Sequence, residues 1–138
     1  MTRLIVAIIF AAATLSASPT GASPSDQPYR ILRSARIFSF GGVGIAGKRT
    51  LEENAYDTLM RAPDAEQQFR KLLTESKTLE GKMYALYGLR QLRVRDYWDL
   101  AMPFRRSHGP VNTAFACSVG EADVSQMVSY ADHAYAIK

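Results

Sequence analysis

Gly42, Gly44 and Gly47, followed by Lys48 and Arg49, are the residues whose types and spacing most resemble a chemical site. The run Gly42-Val43-Gly44-Ile45-Ala46-Gly47 matches G-x-G-x-x-G, and with Lys48 it also begins a G-x-x-x-x-G-K phosphate loop. In both motifs, glycine amides ahead of a helix hold phosphate oxygens. The surroundings argue against a nucleotide. A dinucleotide fingerprint needs a second parallel strand with an acidic residue about 20 positions on, and here the stretch from Arg61 to Glu66 reads as helix. A phosphate loop needs Ser or Thr after the lysine to hold magnesium, and Arg49 stands there instead. Glu52 and Glu53 fall in the next helical turn, where their charge repels a phosphate. The stretch therefore reads first as a glycine-rich structural crossover. An anion or small-ligand site over Gly41 to Arg49, in a binding protein or an enzyme, is the alternative.

Cys117 with His108 or His133 could be imagined as a nucleophile–base pair. Cys117 shares an alternating run with Phe115 and Val119, where cysteine acts as a small apolar residue. His108 adjoins Gly109-Pro110 and reads as a loop residue, and His133 falls in the last turns of a helix, where positive charge is favourable. Catalytic residues, metal ligands and cofactors are not expected from these patterns.

A second constellation is aromatic. Tyr97, Leu100, Ala101 and Phe104 form the inward stripe of one helix, which leaves Trp98 and Met102 together on another side. In the preceding helix Tyr84, Tyr87 and Gln91 lie beside the stripe of Met83 and Leu86. Two such stripes on neighbouring helices would form a groove of Tyr84, Tyr87, Trp98 and Met102, and aromatic residues and Met are enriched where partners dock. The competing reading is that the stripes pack on each other or on the last helix.

These residues must be positioned by short elements. Arg36 to Phe40 is a β-prone run closed by glycines, hence a strand. Thr50 with Glu53 is a capping-box signature, and Leu51, Ala55 and Leu59 follow on one face until Pro63. Further helices start near Asp64, Thr78, Asp96 and Asp123. The second carries Ala65, Phe69, Leu72 and Leu73, and the third is apolar nearly all round, as a central helix is. Gly88 costs that third helix about 1 kcal/mol unless a neighbour comes close. Pro103 should kink or end the fourth. Val111 to Val119 alternates with period two and reads as a second strand. The expected fold class is mainly α: four to five short helices in antiparallel hairpins, with a small two-stranded β element pairing residues near 36–40 and 111–119.

At 138 residues with one cysteine, the chain suits a single domain without an internal disulfide framework. Arg3, then the apolar run from Leu4 to Ala13, which is well short of the ~20 apolar residues that span a bilayer, and then small residues read as a signal peptide over 1–22. A flexible linker over 23–28 and a single domain over 29–138 follow. The reading is export to the periplasm or the extracellular space, with no transmembrane segment after cleavage. Cleavage removes Arg3 and leaves 16 basic against 13 acidic side chains, too mild a balance to expect nucleic acid as partner.

The stretch Lys82-Met-Tyr-Ala-Leu-Tyr-Gly-Leu-Arg-Gln-Leu92, among short antiparallel helices over 50–106, resembles a HEAT-type helical hairpin. Combined with Phe38-Ser-Phe-Gly-Gly-Val-Gly-Ile-Ala-Gly47, it also resembles small exported bacterial proteins of unknown function. The first resemblance implies protein or peptide ligands. The expected function is a non-enzymatic interaction module with a protein or peptide partner in the cell envelope. Mass spectrometry of the secreted or periplasmic protein should find its N-terminus at Ser18 or Ser23; an intact Met1 on the soluble native protein would refute the signal.

Overall fold

The computed structural model describes residues 25–134; the stretch 1–22 read as a signal peptide lies outside the described residues. Helix α1 (Asp26–Arg33) comes first and corrects the linker boundary. Asp26 to Pro28 carry no apolar pattern, yet they form its first turn, with Pro28 buried beside Tyr29 and Leu32. Proline is tolerated there because the first amides of a helix have no intrahelical partner to lose. The Tyr29 hydroxyl donates to Glu75 at 2.7 Å, which ties the new helix to the rest of the chain.

Strand β1 (Phe38–Val43) leads through the glycine loop to α2 (Leu51–Met60). Thr50 caps α2, its Oγ1 accepting from the Glu53 amide at 3.1 Å. Helix α3 (Ala65–Glu75) buries Ala65, Phe69, Leu72 and Leu73, the stripe its spacing predicts. Helix α4 (Leu79–Gln91) is capped by Thr78 and buried from Met83 through Leu89. Helix α5 (Tyr97–Arg105) follows, with Pro103 in its last turn. Arg70 of α3 holds Asp96, the residue before α5, through two hydrogen bonds of 2.8 and 2.6 Å. That contact keeps the Asp96 carboxyl below its usual range.

The two-stranded expectation is corrected by β2 (Pro110–Ala116) and β3 (Ser118–Asp123). The alternating run from Val111 to Val119 is not one strand but the two arms of a hairpin, pairing Phe115 with Ser118 and Pro110 with Asp123. Ala116, at φ 49°, reverses the chain. Period-two alternation continues across a tight turn, and the expected Gly or Asn is missing from this one, so the pattern alone conceals the break. β1 pairs with β2 in parallel, Phe38 opposite Thr113, giving a mixed sheet in the order β1-β2-β3. Asp123 then starts α6 (Val124–Ala134), accepting from the Ser125 amide at 3.0 Å. The described residues thus form a mixed α/β fold of six helices and three strands.

Helix α4 is the axis of the core. Phe38, Phe40, Tyr56 and Tyr84 pack ring against ring over β1, α2 and α4, with centroids 4.7 to 5.9 Å apart. On its other flank Gly88 lets α3 approach: a Cβ at this position would stand 2.7 Å from ring carbons of the fully buried Phe69. Gly88→Ala should therefore lower stability by about 1–2 kcal/mol in urea titrations, because overpacking outweighs the gain in helix propensity. A raised midpoint would show that Phe69 has room to move.

Candidate functional site

The glycine loop has already spent its amides. Gly41 and Gly42 take φ near +80°, a region where glycine is unstrained, and both N–H groups turn away from the sheet. Gly41 donates to Glu53 Oε1 at 2.9 Å and Gly42 to Oε2 at 3.3 Å. Val43 and Lys48 exchange two main-chain bonds of 2.8 and 3.0 Å. Gly44 donates to the Ala116 carbonyl, and Gly47 to Gly44. A phosphate would compete with these acceptors, and the carboxylate of buried Glu53 already occupies the negative end of the arrangement. Arg49 does not project freely either: its Nε lies 3.2 Å from Glu53 and its Nη2 2.5 Å from Asp57. The capping box is thus half formed. Thr50 caps the Glu53 amide, but the Glu53 side chain goes to the glycines instead of back to the helix start. A carboxylate at the third helical position of the helix that follows the glycine loop is the sequence signal for this role.

The aromatic constellation divides. Tyr84 is fully buried and Tyr87 nearly so, which removes both from any surface groove. The Tyr84 hydroxyl accepts from the Ser39 amide at 3.0 Å and donates to the Ser39 carbonyl at 3.4 Å, and burial pushes it up to about 12. Tyr87 donates to the Met127 carbonyl at 3.0 Å, joining α4 to α6. A helix covered on two sides turns its second stripe inward as well, so the groove of four residues is not formed. Trp98 and Met102, by contrast, are 50% and 41% exposed.

Around Trp98 the structure assembles groups that are distant in sequence. The guanidinium carbons of Arg90 and Arg105 lie 5.1 and 4.7 Å from the indole centroid. Arg105 grips Asp132 of α6 with Nε at 3.0 Å and Nη2 at 2.9 Å, and also donates to the Trp98 carbonyl at 3.3 Å. Tyr97 donates to the same carboxylate at 2.9 Å. Burial, then this hydrogen bond, raises the Tyr97 hydroxyl above the usual tyrosine range. Arg90 reaches the Asp132 carbonyl at 3.4 Å, while its buried Nε has no partner among the described residues. The indole is therefore held by two cations, one of which has no carboxylate partner among the described residues. Such a surface offers an aromatic face and positive charge to a ligand. Asp132 is the residue here with a sequence signal. A carboxylate in the last turn of a helix opposes the helix dipole and calls for a cation.

The remaining candidates lie apart from Trp98. Cys117 sits exposed in the β2–β3 turn rather than inside a strand. His108, 86% exposed, stands 3.4 Å from Asp123, and His133 contacts the Ser129 carbonyl of its own helix at 2.7 Å. Among the described residues no group of three His, Cys, Asp or Glu is arranged to hold a metal, and no helix is long and apolar enough to cross a membrane. Set against protein-family models, curated proteins and solved structures, the chain gives no match.

Replacing the loop's internal anion tests its role. Glu53→Gln leaves a buried glycine amide facing an NH2 group and removes the charge beside Arg49, so stability should fall by about 1–3 kcal/mol in denaturant titrations. An unchanged midpoint would show that the glycine amides do not depend on the carboxylate.

Proposed function

We propose that this chain is an exported, non-enzymatic interaction module that docks a protein or peptide partner of the cell envelope on the surface around Trp98 and Met102. The observation that carries this reading is the indole itself, half exposed yet fixed between Arg90 and Arg105. A large side chain on a surface ordinarily loses rotamer freedom when it binds; one already fixed loses less, and so contributes more of its contact energy to association. Trp and Arg are the residue types most often dominant at the centres of interfaces, and Met adapts its shape to a partner. Trp98 and Met102 are four residues apart on α5 and lie one above the other, which gives a partner a continuous apolar strip. The likeness of residues 50–106 to a HEAT-type hairpin points the same way, toward protein or peptide ligands.

The surface role separates binding from stability. Trp98→Ala should cost no more than about 1 kcal/mol of folding stability, since half the ring is in water and its arginine contacts are worth about that much. A photo-crosslinking residue at position 102, expressed in the native cell, should give a discrete protein adduct that Trp98→Ala abolishes. The same crosslinker at Glu66, on the exposed side of α3, should give none. Identical adducts at both positions, or none at 102, would refute the reading.

A further inference from the structure

Arginine is concentrated around the exposed indole. Between positions 90 and 106 the chain carries Arg90, Arg93, Arg95, Arg105 and Arg106. The carboxylates that could neutralise them are mostly committed elsewhere: Asp96 to Arg70 and Asp132 to Arg105 and Tyr97. Among the described residues Arg93, Arg95 and Arg106 make no ion pair and no side-chain hydrogen bond, and Arg90 has no carboxylate partner. Asp99, on α5 beside Trp98, is the one exposed acid in this stretch without such a commitment. Arg93 adds a conformational argument. It stands just past the C-cap Leu92 of α4 at φ 56°, in the left-handed position where glycine is the usual residue.

Helix geometry gathers part of this charge beside the apolar strip. Trp98, Met102, Arg105 and Arg106 stand at i, i+4, i+7 and i+8 along α5, which is one stripe of a helix. Arg95 lies just before the N-cap, three residues ahead of Trp98 in sequence, and is exposed. Resting on the reading of this surface as a docking site, we infer that its partner is an acidic polypeptide segment in which carboxylates flank an aromatic or aliphatic anchor. The anchor lies along Trp98 and Met102, and the carboxylates meet Arg95 and Arg106, whose guanidiniums can grip them in bidentate fashion. The Arg105 fork is already closed on Asp132 and serves to hold the ring. An anionic membrane fits this face less well. Two guanidiniums lie within 5.1 Å of the indole centroid, and Met102 is the only other exposed large apolar residue on α5.

Trp98 is the only tryptophan in the chain, so its emission reports the site directly. The full chain is titrated with a random glutamate–tyrosine copolymer and with a lysine–tyrosine copolymer, exciting at the red edge where tyrosine does not absorb. Vesicles of phosphatidylglycerol and phosphatidylcholine form a third arm. The acidic copolymer should shift Trp98 emission saturably, and the lysine copolymer should not. Raising salt from about 0.05 M to about 0.5 M should weaken the effect about tenfold or more. Arg95→Glu with Arg106→Glu should abolish it while leaving the thermal midpoint in place, since neither side chain holds another residue. Equal response to both copolymers, no response to the acidic one, or a shift with vesicles alone overturns the acidic-segment inference. The cellular adduct at position 102 keeps the two readings apart: an adduct that survives the double charge reversal preserves the docking site and rejects its acidic partner.

Discussion

A strand at the edge of a sheet must do something with the row of amides and carbonyls that faces no neighbour, and in this protein that requirement organises the core. Among the described residues β1 has β2 on one side and no strand on the other. Side chains complete the missing partner. The Tyr84 hydroxyl serves both the amide and the carbonyl of Ser39, and the Glu53 carboxylate takes the next outward amides, those of Gly41 and Gly42. Two helices are thereby set against the strand by polar contacts of fixed length. Tyr84 can reach Ser39 only if α4 runs across the sheet, and Glu53 can reach the glycines only if α2 starts beside them. Burial explains why such contacts are decisive: a main-chain amide left unpaired in this environment costs about as much as a well-packed side chain contributes.

That constraint also explains which parts of the fold were legible. The starts of α2, α4 and α6 could be read because local chemistry dictates them: Thr50 and Thr78 accept from backbone amides of their own first turn, and Asp123 does the same for α6, whereas Asp64 and Asp96 precede α3 and α5 without capping them. The stripe of α3 and the apolar circumference of α4 were legible for the same reason, being periodic. What escaped depends on partners far along the chain. Asp26 to Pro28 look like linker because their helix is stabilised by tertiary contacts such as Tyr29 with Glu75, not by pattern. The β2–β3 turn escaped because Ala116 adopts a left-handed conformation without the residue type that normally signals it.

The candidate site was half legible. Helical spacing correctly separated Trp98 and Met102 from the inward face of α5. The groove reading of Tyr84 and Tyr87 fails because α4 is covered on two sides, as its apolar circumference already indicated, and Tyr87 packs on the last helix as the competing reading had it. Spacing could not bring in Arg90, Arg105 and Asp132, which meet only when α4, α5 and α6 pack together. Interactions among helices that are neighbours in space but distant in sequence leave no periodic trace. The carboxylate at the end of α6 was their one local sign.

The parallel register of β1 has a consequence in time. Phe38 lies opposite Thr113, so the sheet closes only once nearly the whole described chain is present. During synthesis β2, the partner of β1, emerges only after five helices, with β3 and α6 still to follow. Until then Tyr84 and Glu53 have no strand to complete, and the core has no lock. Closing so long a loop late is entropically slow, and folding rates fall as such distant pairings come to dominate. The hairpin of β2 and β3 is thus the late-arriving piece on which closure of the sheet waits.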